Sequence, residues 1–290
     1  MKFPLYITLL LLTVSATAAS ADLFDNINKI IDPNSKEGKI LSGASQVISS
    51  SKDIDYKTER TIGESLALEG LQRFGNPLRN EPLQQYVNLI GTAVAVNSKR
   101  ATIPYQFAVL DSPVQNAFAV PGGVIFISRA LVAILDNEAE LAAVLAHEIG
   151  HISAKHALKT IQRAQLLQGA GTITAASMGG EKGKKYAATI SGLQSALFDK
   201  GLDKDMEFEA DLSAMETTYR TGYDPSAMIK VLMKLQKLEA SSKDKKGSWF
   251  STHPPLAERI ARLQEQLQKY PDYSSLASVR DRFVKTAKVK

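Results

Sequence analysis

Two histidines four residues apart, His147 and His151, enclose Glu148 in the segment HEIGH, residues 147–151. On a helix, side chains four apart project from one face with Cβ atoms about 6 Å apart, so both imidazoles can reach a single ion. Glu148 then lies beside that ion without having to ligate it, which suits a carboxylate that takes a proton from an attacking water. The chain has no cysteine and only four histidines, so any metal site must draw on His, Asp and Glu; zinc, one per chain, is the expected ion. A catalytic zinc takes three protein ligands. The third is sought in Glu207-Phe208-Glu209-Ala210-Asp211, where Glu207 and Asp211 are again four apart. One carboxylate can bind metal and the other can orient a ligating histidine.

Each of these residues also has a plainer reading. A HExxH string occurs by chance on surface helices, and Glu207 and Asp211 would ordinarily be charges on an exposed face. The surroundings argue otherwise, because HEIGH follows the apolar run Leu141-Ala-Ala-Val-Leu-Ala, where two histidines and a glutamate would be costly to bury without an ion. Gly150 inside a helix costs about 1 kcal/mol relative to Ala, which a close approach near the metal would explain. His156 falls about 140° around a continuous helix from His151, off the metal face, and is expected to meet solvent.

The elements that hold these residues can be read from periodicity. Ile62, Leu66, Leu71 and Phe74 recur at helical spacing until Gly75-Asn76-Pro77, and Leu83, Tyr86, Val87, Ile90 and Val94 mark a second helix. Residues 105–111 and 116–128 read as strands, the second interrupted by Val120-Pro121-Gly122-Gly123; Pro then Gly in the two central positions predicts a type II turn and a hairpin. Asn137 caps the next helix, with Glu140 three residues on able to reach back, and that helix runs through HEIGH. Residues 168–187, rich in Gly, Ala and Lys, look mobile. Phe208, Leu212, Met215 and Tyr219 define a further helix ended by Gly222, with Phe208 and Leu212 on its buried stripe. Asp224-Pro225 opens a helix packed through Met228, Val231, Leu232 and Leu235. The last helix follows Pro254-Pro255, with Leu256, Ile260, Leu263 and Leu267 inward.

The N-terminus bears on compartment. Lys2, the apolar residues 5–14 and Ala19-Ser20-Ala21 make a leader cleaved before Asp22, since about 10 apolar residues fall short of the roughly 20 that a membrane span needs. Removal of residues 1–21 leaves about 269 residues, enough for one large domain. The expected organisation is a signal peptide at 1–21, a flexible arm at 22–56, a catalytic domain at 57–268 and a basic, frayed tail at 269–290. A formal charge of +5 spread over short runs at 182–185 and 243–246 and over the C-terminus gives no basic helix face, so no nucleic-acid partner is expected.

Together these segments resemble the family-48 zinc metallopeptidases, the group of HtpX-like and CAAX-prenyl-protease-like enzymes and of soluble, BepA-like periplasmic proteases. The resemblance covers residues 63–263 and rests on Asn116-Ala-Phe-Ala-Val-Pro-Gly-Gly, Glu140 through HEIGH, Glu207-Phe-Glu-Ala-Asp, Gly222-Tyr-Asp-Pro and Thr252-His-Pro. It implies an α+β, mainly helical gluzincin fold, a small β-hairpin or sheet bordering the cleft, His147, His151 and Glu207 as ligands, Glu148 as base and Asp211 behind a ligand. The soluble periplasmic branch is the better match, without the helical-repeat domain of its BepA-like members.

The expected reaction is endopeptidase hydrolysis by water that zinc acidifies and Glu148 deprotonates. His253 is expected to fold over the metal as a fourth ligand or an oxyanion donor, against a plain loop role; Tyr223 is a second oxyanion candidate. Asn116, Gly122 and Gly123 are expected to border the cleft, where a strand edge could pair with an extended substrate; turn and strand roles alone would also explain PGG. The implied substrates are polypeptides, misfolded envelope or outer-membrane proteins among them. The rival reading is a latent, zinc-containing chaperone-like or binding protein with little turnover.

Overall fold

The computed structural model describes residues 54–167, 198, 201–241, 253 and 255–288. The expected signal peptide, almost all of the expected arm, the Gly/Ala/Lys-rich stretch and the lysine runs lie outside them.

The first described helix, α1 (Tyr56–Phe74), begins inside the expected arm: Asp55 caps it by accepting from the Thr58 N–H at 2.8 Å. Asn80 caps α2 (Glu81–Ala95) in the same way through Leu83, with Pro82 in the first turn. Three strands follow, β1 (Gln106–Leu110), β2 (Ala117–Val120) and β3 (Val124–Ser128). The sheet order is β1-β3-β2, with β1 parallel to β3 and β2 antiparallel to it. The expected hairpin is therefore β2–β3, closing at Val120 opposite Val124. Gly122 has φ +86°, the left-handed value that the third position of a type II turn requires.

The short α3 (Arg129–Ile134) leads to α4 (Glu138–Ser153), the central helix, whose residues from Glu138 to Ile152 are all buried. Asn137 accepts from the Glu140 N–H at 3.0 Å, and the Glu140 carboxylate reaches back to the Asp136 N–H at 2.8 Å, one residue earlier than a strict capping box. Around α4 pack α5 (His156–Leu167), α6 (Lys204–Arg220), α7 (Ala227–Ser241) and α9 (Arg280–Ala287), with α8 (Leu256–Leu267) lying on α6 and α7. The main core joins α2, α4, α7 and α8 with one sheet face; a second cluster under α1 holds Leu66, Leu71, Phe118, Phe126 and Leu158.

Two expectations change. Leu212 is 45% exposed, because α6 turns Glu207, Ala210, Asp211, Ala214 and Thr218 inward. The described part of the basic tail is anchored: Phe283 of α9 is completely buried in the main core, and Arg282 pairs with Glu138 in the first turn of α4. No helix among the described residues is long and apolar enough to cross a membrane.

Candidate metal centre

Helices α4 and α6 touch where Gly150 meets Ala210. A Cβ on Gly150 would lie 3.2 Å from the Ala210 Cα and carbonyl oxygen, so glycine permits the close approach. That contact sets the carboxylates of α6 against the imidazoles of α4. The Nε2 atoms of His147 and His151 face each other at 3.0 Å, and Glu207 presents Oε2 at 3.4 Å from the first and Oε1 at 3.5 Å from the second. On the far side of its ring, His147 Nδ1 lies 3.0 Å from Asp211 Oδ1. His253, just before α8, completes the group: one ligand atom from each of His147, His151, Glu207 and His253 lies within 4.8 Å of the others, and all four residues are buried.

Burial and charge act on the members of this group in opposite directions. Burial alone would lower the His147 pKa, but Asp211 and Glu207 outweigh it and lift it to about 9. Burial holds His151 well below the ordinary histidine value, reinforced by its histidine neighbours, so it is a neutral imidazole with a lone pair to offer. Burial raises Glu207 against the opposing pull of Arg259 and His147. Its Oε1 makes no hydrogen bond among the described residues, a costly state for a buried carboxylate oxygen that a cation would relieve. Three imidazoles and one carboxylate form a donor set suited to a borderline metal.

Arg259, wholly buried in α8, organises the carboxylates. It grips Asp211 through Nε to Oδ2 and Nη2 to Oδ1, both at 2.7 Å, reaches Glu207 Oε2 at 3.0 Å and donates to the His253 carbonyl at 2.7 Å. Burial raises the Asp211 carboxyl, but Arg259 and His147 overcome that and leave it below the usual carboxylate value. Sequence reading missed Arg259, although a signal was present. It sits three residues after Leu256 and four before Leu263, on the apolar stripe of α8, where a charge needs a buried partner.

Glu148, His151 and His253 line a cleft of about 590 Å³, open to solvent, together with Asn116, Phe118, Ala119, Val120 and Pro121 of the β2 region and the apolar Phe74, Leu158, Phe198 and Leu202. Glu148 Oε1 lies 3.7 Å from His253 Nε2. Asn116 stands in this wall with its amide oxygen making no hydrogen bond, while its backbone is tied to Ser128. Gly122 and Gly123 belong to the turn and are not among the lining residues. The Gly122 N–H donates to Glu59 at 3.2 Å and its carbonyl accepts from Tyr56 at 3.1 Å. Glu59 is held in turn by both Nη atoms of Arg100 at 2.9 Å, and Arg100 also donates to the Ile152 carbonyl in the last turn of α4. This brace ties the hairpin turn to the metal-site helix, and Glu59, like Arg259, is a charge on an apolar stripe.

Two residues are not where the sequence suggested. Tyr223 donates to Glu138, nine residues before His147 on α4, and does not face the cleft. His156 is completely buried, with its Nδ1 2.8 Å from the Nδ1 of His151. The 140° estimate assumed an unbroken helix, but α4 ends at Ser153 and Lys155 adopts φ +55°, folding His156 back against His151.

A four-donor cluster shared by two packed helices and His253, with a glutamate beside it facing a cleft, defines a metallopeptidase-type site. The chain belongs to peptidase family M48, whose model matches residues 78–267. It is similar to the beta-barrel assembly-enhancing protease of Yersinia pestis, 31% identical over 70% of this chain and 43% of that protein, and to that of Escherichia coli K12, 32% identical over 64% and 39%. It is also similar to the mitochondrial metalloendopeptidase OMA1 of Schizosaccharomyces pombe, 26% identical over 74% and 63%. The chain thus spans about two fifths of the length of these two beta-barrel assembly-enhancing proteases.

Proposed function

We propose that this chain is a zinc-dependent metalloendopeptidase acting on polypeptides of the cell envelope, exported by a leader at residues 1–21 to the periplasm. The observation that carries the reading is the group His147, His151, Glu207 and His253, within 4.8 Å of one another, beside Glu148 in the cleft wall. In it, His147, His151 and Glu207 hold the ion and Asp211 orients His147. Bound there, zinc would supply Lewis acidity to the scissile carbonyl and to water. Glu148 takes the proton of the attacking water and returns it to the leaving amine. The edge of β2 opposite β3 lies along the cleft, which supports pairing with an extended substrate there, with Asn116 offering its amide to the substrate backbone. The names of the bacterial relatives point to substrates met during β-barrel assembly.

His253 supports a second, compatible reading. With its nitrogen in the donor group, it acts as a fourth ligand that a substrate must displace, so the resting protein turns over slowly. Metal analysis coupled to cleavage of an unfolded outer-membrane protein, with cut sites mapped by mass spectrometry, tests both. One zinc per chain with cleavage that rises several-fold in His253→Ala supports the latent peptidase. Bound zinc with no cleavage by either protein leaves the chaperone-like alternative. A fall in His253→Ala makes His253 an oxyanion donor instead.

A further inference from the structure

The two histidines of HEIGH are held from behind in different ways. His147 meets a carboxylate directly, Asp211 at 3.0 Å. Behind His151 stands another imidazole, His156, Nδ1 to Nδ1 at 2.8 Å, and behind that stands Glu209, whose Oε2 is 3.2 Å from His156 Nε2. His151 and His156 are buried, whereas Glu209 is half exposed.

Protons fit this chain in one self-consistent way. His151 Nε2 faces the donor group, 3.0 Å from His147 Nε2 and 3.5 Å from Glu207 Oε1, so a ligating His151 carries its proton on Nδ1. His156 must then accept at Nδ1 and carry its own proton on Nε2, because two N–H groups cannot face each other. That second proton is donated to Glu209, and an ionised carboxylate only accepts.

We propose that His156 is a positioning residue of the metal centre, which with Glu209 forms a relay that fixes the tautomer and ring orientation of His151 and strengthens it as a ligand. This rests on the metal reading given above. The backbone is built to deliver the relay. Lys155 takes a left-handed conformation that an L residue adopts at a cost, and it places His156 at the first position of α5, turned back against α4. Glu209, on α6, follows Glu207 by two residues, so α6 supplies a carboxylate to the front of the site and another to its back.

A hydrogen-bonded triad with two buried members could instead serve stability alone, and the two roles separate experimentally. Zinc affinity of the purified chain is measured by competition with a chromogenic chelator, and the thermal midpoint of the metal-free protein is measured alongside. His156→Phe should bind zinc about 10- to 100-fold more weakly, the usual consequence of losing a partner behind a metal ligand. His156→Asn, which keeps an acceptor near Nδ1, should recover most of that affinity. Glu209→Gln should weaken zinc several-fold with an unchanged metal-free midpoint, and it carries the test with His156→Asn if His156→Phe fails to fold. Parental affinity in Glu209→Gln and His156→Phe overturns the relay, as does a loss in His156→Asn equal to that in His156→Phe. A parent chain that takes up no zinc overturns the metal reading itself, and the relay with it.

Discussion

Arg259 and Asp211 form a bidentate pair with both partners buried, through two contacts of 2.7 Å. The pair joins α8 to α6 directly behind His147. Since the same guanidinium holds the His253 carbonyl, one side chain fixes both the carboxylate beside His147 and the backbone of His253.

Removing that guanidinium leaves Asp211 as a buried charge facing only His147. Arg259→Met is expected to cost about 3–5 kcal/mol of stability, the usual loss when one partner of a buried pair is deleted. Arg259→Lys keeps the charge but cannot hold two Asp211 oxygens, Glu207 and the His253 carbonyl together, so it should fold better than Arg259→Met and still bind zinc weakly. Urea denaturation and chelator competition on the two variants check this. Equal stability of Arg259→Met and the parent would remove the pair from the account.

Glu148 lines the cleft beside His151 and His253, and it is not one of the four residues that make up the donor group. Glu148→Gln should therefore retain zinc and lose about 10²- to 10⁴-fold in turnover, the range for a positioned general base. Metal content and single-turnover cleavage of an unfolded substrate are read on the same preparation. Persistent turnover with full zinc would assign the base elsewhere.

What was legible in the sequence was whatever depended on spacing within one unbroken element. His147, His151, Glu207 and Asp211 obey the four-residue helical interval, and the Pro121-Gly122 pair dictates its turn. What escaped depended on where elements stop or how they rotate. His156 departs from its helical angle because the helix stops at Ser153 and the left-handed Lys155 redirects the chain. An apolar Leu212 is expected to face the core, but α6 turns its carboxylates Glu207 and Asp211 inward and leaves Leu212 outside. Phe283 was lost in a basic composition that a single buried ring and one ion pair with Glu138 override.

That ion pair gives a pH dependence well away from the metal centre. Burial would raise the Glu138 carboxyl, but hydrogen bonds from Arg282, Tyr223 and Tyr86 outweigh it and leave it below the ordinary 4.5. A depressed carboxylate contributes stability that is present above the unfolded value and lost as pH falls through the folded one. Glu138→Gln should thus be less stable than the parent by about 1–2 kcal/mol at neutral pH, with Arg282 half in solvent limiting the figure. The two urea midpoints should converge as pH falls below 4.5. A gap that stays constant from neutral to acid pH would show that the carboxylate contributes no charge-dependent stability.

The hairpin turn rests on α1 at Gly63. A Cβ there would stand 1.7 Å from the Pro121 carbonyl oxygen and 2.7 Å from its carbon, and neither backbone atom can yield as a flexible side chain would. Gly63→Ala gains up to about 1 kcal/mol of helix propensity, yet it must push α1 off the turn and part Glu59 from the Gly122 N–H. The expected net result is a loss of about 2–3 kcal/mol, toward the upper end for overpacked cores. Hydrogen exchange at the Gly122 amide should quicken more than at the α4 amides. The peptidase rate should fall as well, because the Glu59–Arg100 brace also reaches Ile152 at the end of the HEIGH helix. Unchanged exchange at Gly122 would mean that the turn is held by the strands alone and that α1 only covers it.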